Sequence, residues 1–132
     1  MPDHDPSRPS LSLGERSELI VAEARARDRV GVAVIATDSR GKIVYWSSGA
    51  ESLYGWLVDE AIGRDILEVT PTRSSEDEAT EIMEQLRNGR LWTGIFIVQR
   101  HDGTPIMVHV TDIPIRIDGE VIGVVGVSRP DT

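Results

Sequence analysis

Leu91–Arg129 reads LWTGIFIVQRHDGTPIMVHVTDIPIRIDGEVIGVVGVSR, and the order of its runs decides the fold. Leu91 to Arg100 is rich in β-branched and aromatic residues and ends in His101-Asp102-Gly103; Ile106 to Ile117 is a second such run, ended by Asp118-Gly119; Val121 to Val127 is the last. Asp-Gly between alternating apolar runs is a strong short-range hairpin signal, because the turn needs backbone at positive φ. Two such turns in succession predict an antiparallel meander.

Upstream of the meander the period changes. From Ser47 to Gly89 the spacing is helical, with short helices around Gly49–Tyr54 and Asp59–Ile62 stopped by Gly55 and Gly63. A longer helix capped by Ser74 or Ser75 runs to Asn88-Gly89, and Ala79, Ile82, Met83 and Leu86 fall at i, i+3, i+4 and i+7 on the face that should be buried. Before that insert, Val32–Thr37 and Lys42–Trp46 flank the turn residues Asp38-Ser39-Arg40-Gly41, which predicts a hairpin. Further back, Ser12-Leu13-Gly14-Glu15 has capping-box spacing and opens a helix-forming stretch that Gly31 should end. Residues 1–11 are polar and proline-rich, and the expectation there is a disordered leader; 12–30 is the flanking helix, 31–129 the core and 130–132 a C-terminal stub toward a missing effector. The order predicts an α+β fold: a five-stranded antiparallel sheet with short helices covering one face, enclosing a cavity, and the N-terminal helix on the other.

Composition narrows the functions. The chain has 132 residues, enough for one core, and no cysteine, which excludes disulfides, thiolate metal sites and cysteine nucleophiles. A net charge of -8, from 22 acidic and 14 basic residues, disfavours phosphate backbones and anionic membranes as partners. No apolar run approaches the ~20 residues of a membrane helix, and the acidic start lacks a secretory pattern, so a cytoplasmic protein without direct membrane contact is expected. No nucleophile–base pair, metal constellation or phosphate loop is visible, and no enzyme is expected.

Four pieces of sequence carry a family resemblance. They are Ala36-Thr37-Asp38 with Gly41 and Ile43-Val44-Tyr45-Trp46; Ala50-Glu51-Ser52-Leu53-Tyr54-Gly55-Trp56; Ile62-Gly63-Arg64-Asp65; and the set Trp92-Thr93-Gly94, Arg100-His101-Asp102-Gly103, Pro114-Ile115 and Gly123 to Arg129. In this order and spacing, from Val32 to Arg129, the chain resembles the PAS sensory domains. The resemblance implies a signalling module that holds haem, a flavin, a metabolite or nothing, and that regulates a histidine kinase, cyclase or transcription regulator, as in two-component systems. Two departures stand out. Ser47 occupies a slot where the family usually has Asn, and Arg129-Pro130-Asp131-Thr132 puts proline where the family commonly starts a coupling helix.

Two ligand chemistries are argued against by the same comparison. Blue-light (LOV) members form a flavin adduct through a thiol, and this chain reads Gly63-Arg64-Asp65-Ile66-Leu67-Glu68 there, where Ile66 has no such chemistry. Haem-sensing members use a His on the long helix, and residues 74–89 contain none; Met83 is better read as core filler than as an axial ligand. Which ligand binds, if any, stays open.

Strand alternation nominates the pocket wall. On the third strand it turns Trp92, Gly94 and Phe96 inward, with Gly94 either leaving space beside two rings or marking a bulge. On the fourth it turns Val108, Val110 and Asp112 inward and His109 outward, and on the last Ser128 takes a slot where flavin binders often carry Gln. Ile66, Met83 and Leu86 complete the expected wall. A carboxylate facing an apolar cavity is costly unless paired, so Asp112 either recognises a ligand, pairs with Arg64 or Arg116, or sits in water at the mouth. The outward Ile95 and Ile97 form a patch that needs a cover. The helix carrying Leu13, Leu19, Ile20 and Ala24 is the expected one, from a second copy in a homodimer or from the same chain, with His109 beside it. Ligand-regulated sensor and ligand-free dimerisation domain are the two functions left.

Overall fold

A computed structural model describes residues 11–72 and 76–131. Its elements are α1 (Leu13–Arg27), β1 (Ala33–Asp38), β2 (Ile43–Trp46), α2 (Ser48–Tyr54), α3 (Val58–Ala61), α4 (Ile66–Val69), α5 (Glu76–Arg87), β3 (Trp92–Gln99), β4 (Pro105–Ile117) and β5 (Glu120–Pro130). The strands form a five-stranded sheet in the order β2-β1-β5-β4-β3, with every neighbouring pair antiparallel. The α+β architecture expected from the sequence is therefore the one present. The 1–10 part of the expected leader and the proposed Ser74/Ser75 cap lie outside the described residues.

Two apolar layers sandwich the sheet. The inner layer packs Ala50, Leu53, Tyr54, Ala61 and Val69 from the helical side against Ala33, Ile43, Trp46, Val98 and Val108 of the strands. The outer layer packs Ile20 and Ala24 of α1 against Val34, Ala36, Ile115, Ile122 and Val125. Period-2 alternation makes both possible, since adjacent strand residues serve opposite layers.

Local chemistry fixes the helix starts. At α1 the Ser12 Oγ accepts from the Glu15 N–H at 3.1 Å while Glu15 accepts from the Ser12 N–H at 3.1 Å, a reciprocal capping box. Ser47 does more than cap α2: its buried Oγ accepts from Ala50 N–H at 3.1 Å and from Val34 N–H of β1 at 2.8 Å, locking helix to strand. Two residues on, α2 presses so close to β1 that a methyl on Gly49 would collide with the Val32 carbonyl oxygen.

Several boundaries differ from the sequence reading. α1 stops at Arg27 with Asp28 in extended conformation, and Gly31 turns the chain only afterwards. α4 was not expected, although Asp65 caps it through Leu67 N–H at 2.9 Å and offers a recognisable start signal. Pro130 belongs to β5, paired with Val108, rather than to a stub. At the strand's end, past its last register pair with β1 at Ser128, the missing N–H is tolerated.

α1 takes the outer face, as expected, but lies over its centre and not over Ile95. It crosses β1, β2 and β5, and Ile20 sits over the notch that Gly123 leaves in the outer face. Ile95 and Met107, on β3 and β4, keep 52% and 47% of their surface exposed. The same-chain helix thus covers the centre of the outer face and leaves the β3–β4 side bare. The reason is shape: glycine at 123 and alanine at 36 make the centre the place where a helix can approach closely.

Candidate functional site

A cavity of about 390 Å³ lies between the inner face of the sheet and the helices α4 and α5. Its floor is built by strand alternation, with Ile35 and Thr37 from β1, Val124, Gly126 and Ser128 from β5, Val110 and Asp112 from β4, and Phe96 and Val98 from β3. Ile66 and Leu67 of α4 and Ala79, Ile82, Met83 and Leu86 of α5 form the opposite wall. The size falls in the range of small-molecule sites, roughly 300–1,000 Å³, and the lining is mostly apolar as such sites are.

α5 stands off the sheet. Leu86 is fully buried, but Met83 on the same stripe is 41% exposed and Ala79 is exposed as well. The helix periodicity is as the sequence indicates, yet its apolar face does not close on the strands. The cavity occupies that gap.

Polar groups are few and clustered on the floor. Tyr54, at the end of α2, is buried and its hydroxyl shares a 2.7 Å hydrogen bond with Ser128 Oγ. Burial, with the Asp112 charge as a smaller contribution, raises the Tyr54 hydroxyl to about 12, so it stays protonated. Asp112 projects from the neighbouring strand over Gly126, its register partner; a methyl at 126 would stand 3.0 Å from Asp112 Oδ1. Burial alone pushes its carboxyl up to about 6. Neither arginine considered as its partner is used that way. Arg64 binds Glu68 at 2.8 Å and the Glu60 carbonyl at 2.7 Å, and Arg116 donates to the Gly119 carbonyl at 3.2 Å. Among the described residues no side chain hydrogen-bonds or ion-pairs with Asp112.

Of the residues nominated from sequence, Ile66, Met83, Leu86, Phe96, Val110, Asp112 and Ser128 come together around the cavity. Trp92, Gly94 and Val108 do not. The Trp92 indole folds along its own strand across Gly94 and meets Phe96 at a ring separation of 5.0 Å, filling the space the glycine leaves. Val108 is fully buried among core side chains below the cavity. Sequence reasoning passed over Tyr54, Gly126, Ile35 and the α4 residue Leu67. Tyr54 carried a signal, since a buried tyrosine needs a partner for its hydroxyl.

Of the residues expected at an interface, Ile20 and Ala24 are consumed by packing within the chain, while Leu13, Leu19 and Ile95 are exposed. Ile97 and His109 are partly buried, and His109 stands in register between Ile95 and Arg129 on the outer face. No group of three or more His, Cys, Asp or Glu side chains among the described residues could hold a metal ion, and no helix there is long and apolar enough to cross a membrane.

Comparison with known proteins gives a consistent picture. The sequence model described as the PAS fold matches residues 24–130. The chain is 28% identical over 113 residues to Phototropin-1A of Oryza sativa subsp. japonica, which covers 85% of this chain but only 12% of that protein. The PAS domain of a protein from Colwellia psychrerythraea superposes with a TM-score of 0.71 at 27% identity, covering 86% of this chain and 98% of that one. The Erythrobacter litoralis EL346 blue-light activated histidine kinase superposes at 0.65 with 16% identity, over 83% of this chain and 36% of that one.

Proposed function

The chain belongs to the PAS fold family, and from that premise we propose that it is a non-catalytic sensor whose cavity takes a small molecule and whose occupancy regulates an effector. The observation that carries this reading is the gap under α5. An amphipathic helix normally buries its apolar stripe, and here Met83 remains 41% exposed above a cavity of about 390 Å³. A ligand seated there would cover that stripe and tie α5 to the sheet. Binding would then shift the helix between two arrangements, which is what a sensor needs. The name of the Erythrobacter relative favours a histidine kinase among the possible effectors, beside a cyclase or transcription regulator. A cysteine adduct of the blue-light kind has no thiol to use, because the sequence has no cysteine and Ile66 stands in the wall.

The test is native mass spectrometry with an absorption spectrum of the purified protein, followed by titration with an apolar fluorescent probe. A retained molecule, or probe binding that Met83→Trp blocks, supports the sensor reading. Bare chain mass with no probe binding overturns it.

A second reading, dimerisation without a ligand, is favoured by Ile95 and Met107, which leave an apolar strip on the β3–β4 side of the outer face. The partner proposed is a second copy of this chain, with Leu13 and Leu19 of α1 contributing. If that strip is the interface, Ile95→Lys with Met107→Lys converts a dimer to a monomer in light scattering without changing the circular dichroism.

A further inference from the structure

Asp112 is a half-buried carboxylate that faces the cavity, and among the described residues it has no hydrogen-bond or ion-pair partner. Paired carboxylates are common in protein interiors, but an isolated one among apolar side chains is expensive. Among the described wall residues none is cationic and none hydrogen-bonds to Asp112: Tyr54 and Ser128 share one 2.7 Å bond between their hydroxyls, and Thr70 donates to the Ile66 carbonyl at 3.1 Å. Gly126 is the residue that lets the carboxylate lie flat on the floor, since any side chain there would press on Oδ1.

We propose that the cavity takes an apolar molecule with a protonated-amine head, the amine donating to the Asp112 carboxylate and the body lying against Ile35, Phe96, Val110, Ile82 and Met83. This rests on the sensor reading above and adds the chemical class of the ligand. An ionised carboxylate can only accept, so it selects a donor; a cationic donor neutralises it and makes the stronger, charge-assisted bond. An anionic head is rejected by the same charge. A bare metal ion is a poor occupant, because one carboxylate amid apolar side chains supplies too few ligands. The Tyr54 hydroxyl beside Ser128 is near enough to Asp112 to sense its charge, so it is placed to orient the head as well.

The pH dependence follows from the wall itself. Its titratable members among the described residues are Asp112 and Tyr54, and Tyr54 stays neutral across the usable range. With the Asp112 carboxyl pushed up to about 6, the seat is charged above that pH and is lost below it.

Calorimetric titration of the purified chain with octylamine, 1-octanol and octanoate, below their aggregation limits, tests the proposal. Octylamine is expected to bind roughly tenfold or more tightly than octanol, with octanoate weakest, and Asp112→Asn should erase the octylamine preference while keeping octanol binding. In the unaltered protein octylamine affinity should fall about tenfold per pH unit below the Asp112 pKa while octanol binding stays flat, a readout that needs no variant. Equal binding of all three, a preference that survives Asp112→Asn, or a flat octylamine profile overturns the amine proposal and leaves the pocket intact. Failure of all three probes to bind removes the pocket reading with it.

Discussion

Replacing Asp112 by Asn should stabilise the protein, and by an amount that depends on pH in a calculable way. The carboxyl titrates near 3.8 when free and is pushed up to about 6 in the fold, with burial as the cause. A shift of about two units corresponds to about 3 kcal/mol of penalty on the charged form. The sign is that of a raised carboxylate: between the two values the folded state holds the proton that the unfolded chain has lost, so stability falls as pH rises through this window. Below it the penalty is absent, and above about pH 6 it is fully present. Asn is never charged and never suffers it. In urea titrations of ligand-free protein, the advantage of Asp112→Asn should therefore grow by about 2–3 kcal/mol between about pH 4 and about pH 7.5. Taking the difference between the two proteins at each pH cancels the other carboxylates of this acidic chain, and taking it between the two pH values cancels the amide's own burial cost. An advantage equal at both pH values, or shrinking as pH rises, would refute the claim that Asp112 is an unpaired, poorly solvated charge.

Three further outcomes concern the frame that holds the cavity. Ser47→Ala removes the acceptor of two backbone N–H groups, and should cost about 2 kcal/mol in chemical denaturation. Gly49→Ala forces a methyl against the Val32 carbonyl, which cannot yield as a side chain would, and a loss of about 2–3 kcal/mol is expected in the same assay. Ile20→Ala empties the notch over Gly123, and should cost about 2–5 kcal/mol and raise amide exchange along α1 before it does so in β4.

The fold was legible where chemistry is local. The turns Asp102-Gly103 and Asp118-Gly119, the Ser12–Glu15 box and the period-2 runs each announce themselves within a few residues, and antiparallel pairing follows from them. The family resemblance pointed to Ser128, and alternation placed Phe96, Val110 and Asp112 on the cavity side. What it left open was anything set by shape at a distance. Alternation gives the face on which Trp92 stands, but not that its ring lies down across Gly94 instead of reaching the cavity. The bond between Tyr54 and Ser128 joins residues 74 apart, and nothing near either one announces it. The place where α1 docks depended on Gly123, which reads as an ordinary strand glycine until the helix is seen above it. Asp112 was the residue whose role stayed divided, because whether a carboxylate is paired depends on where distant arginines end up. Arg64 and Arg116 both turn to other partners.

Strand β5 sits at the centre of the sheet between β1 and β4. It presents Val124, Gly126 and Ser128 to the cavity, while Val125 and Val127 on the same backbone belong to the layer under α1. The two layers therefore share a single ribbon of peptide as their party wall. Whatever pushes on one side of that ribbon is felt one residue away on the other, and a message from the cavity can reach the opposite surface of the molecule without any loop or hinge to carry it.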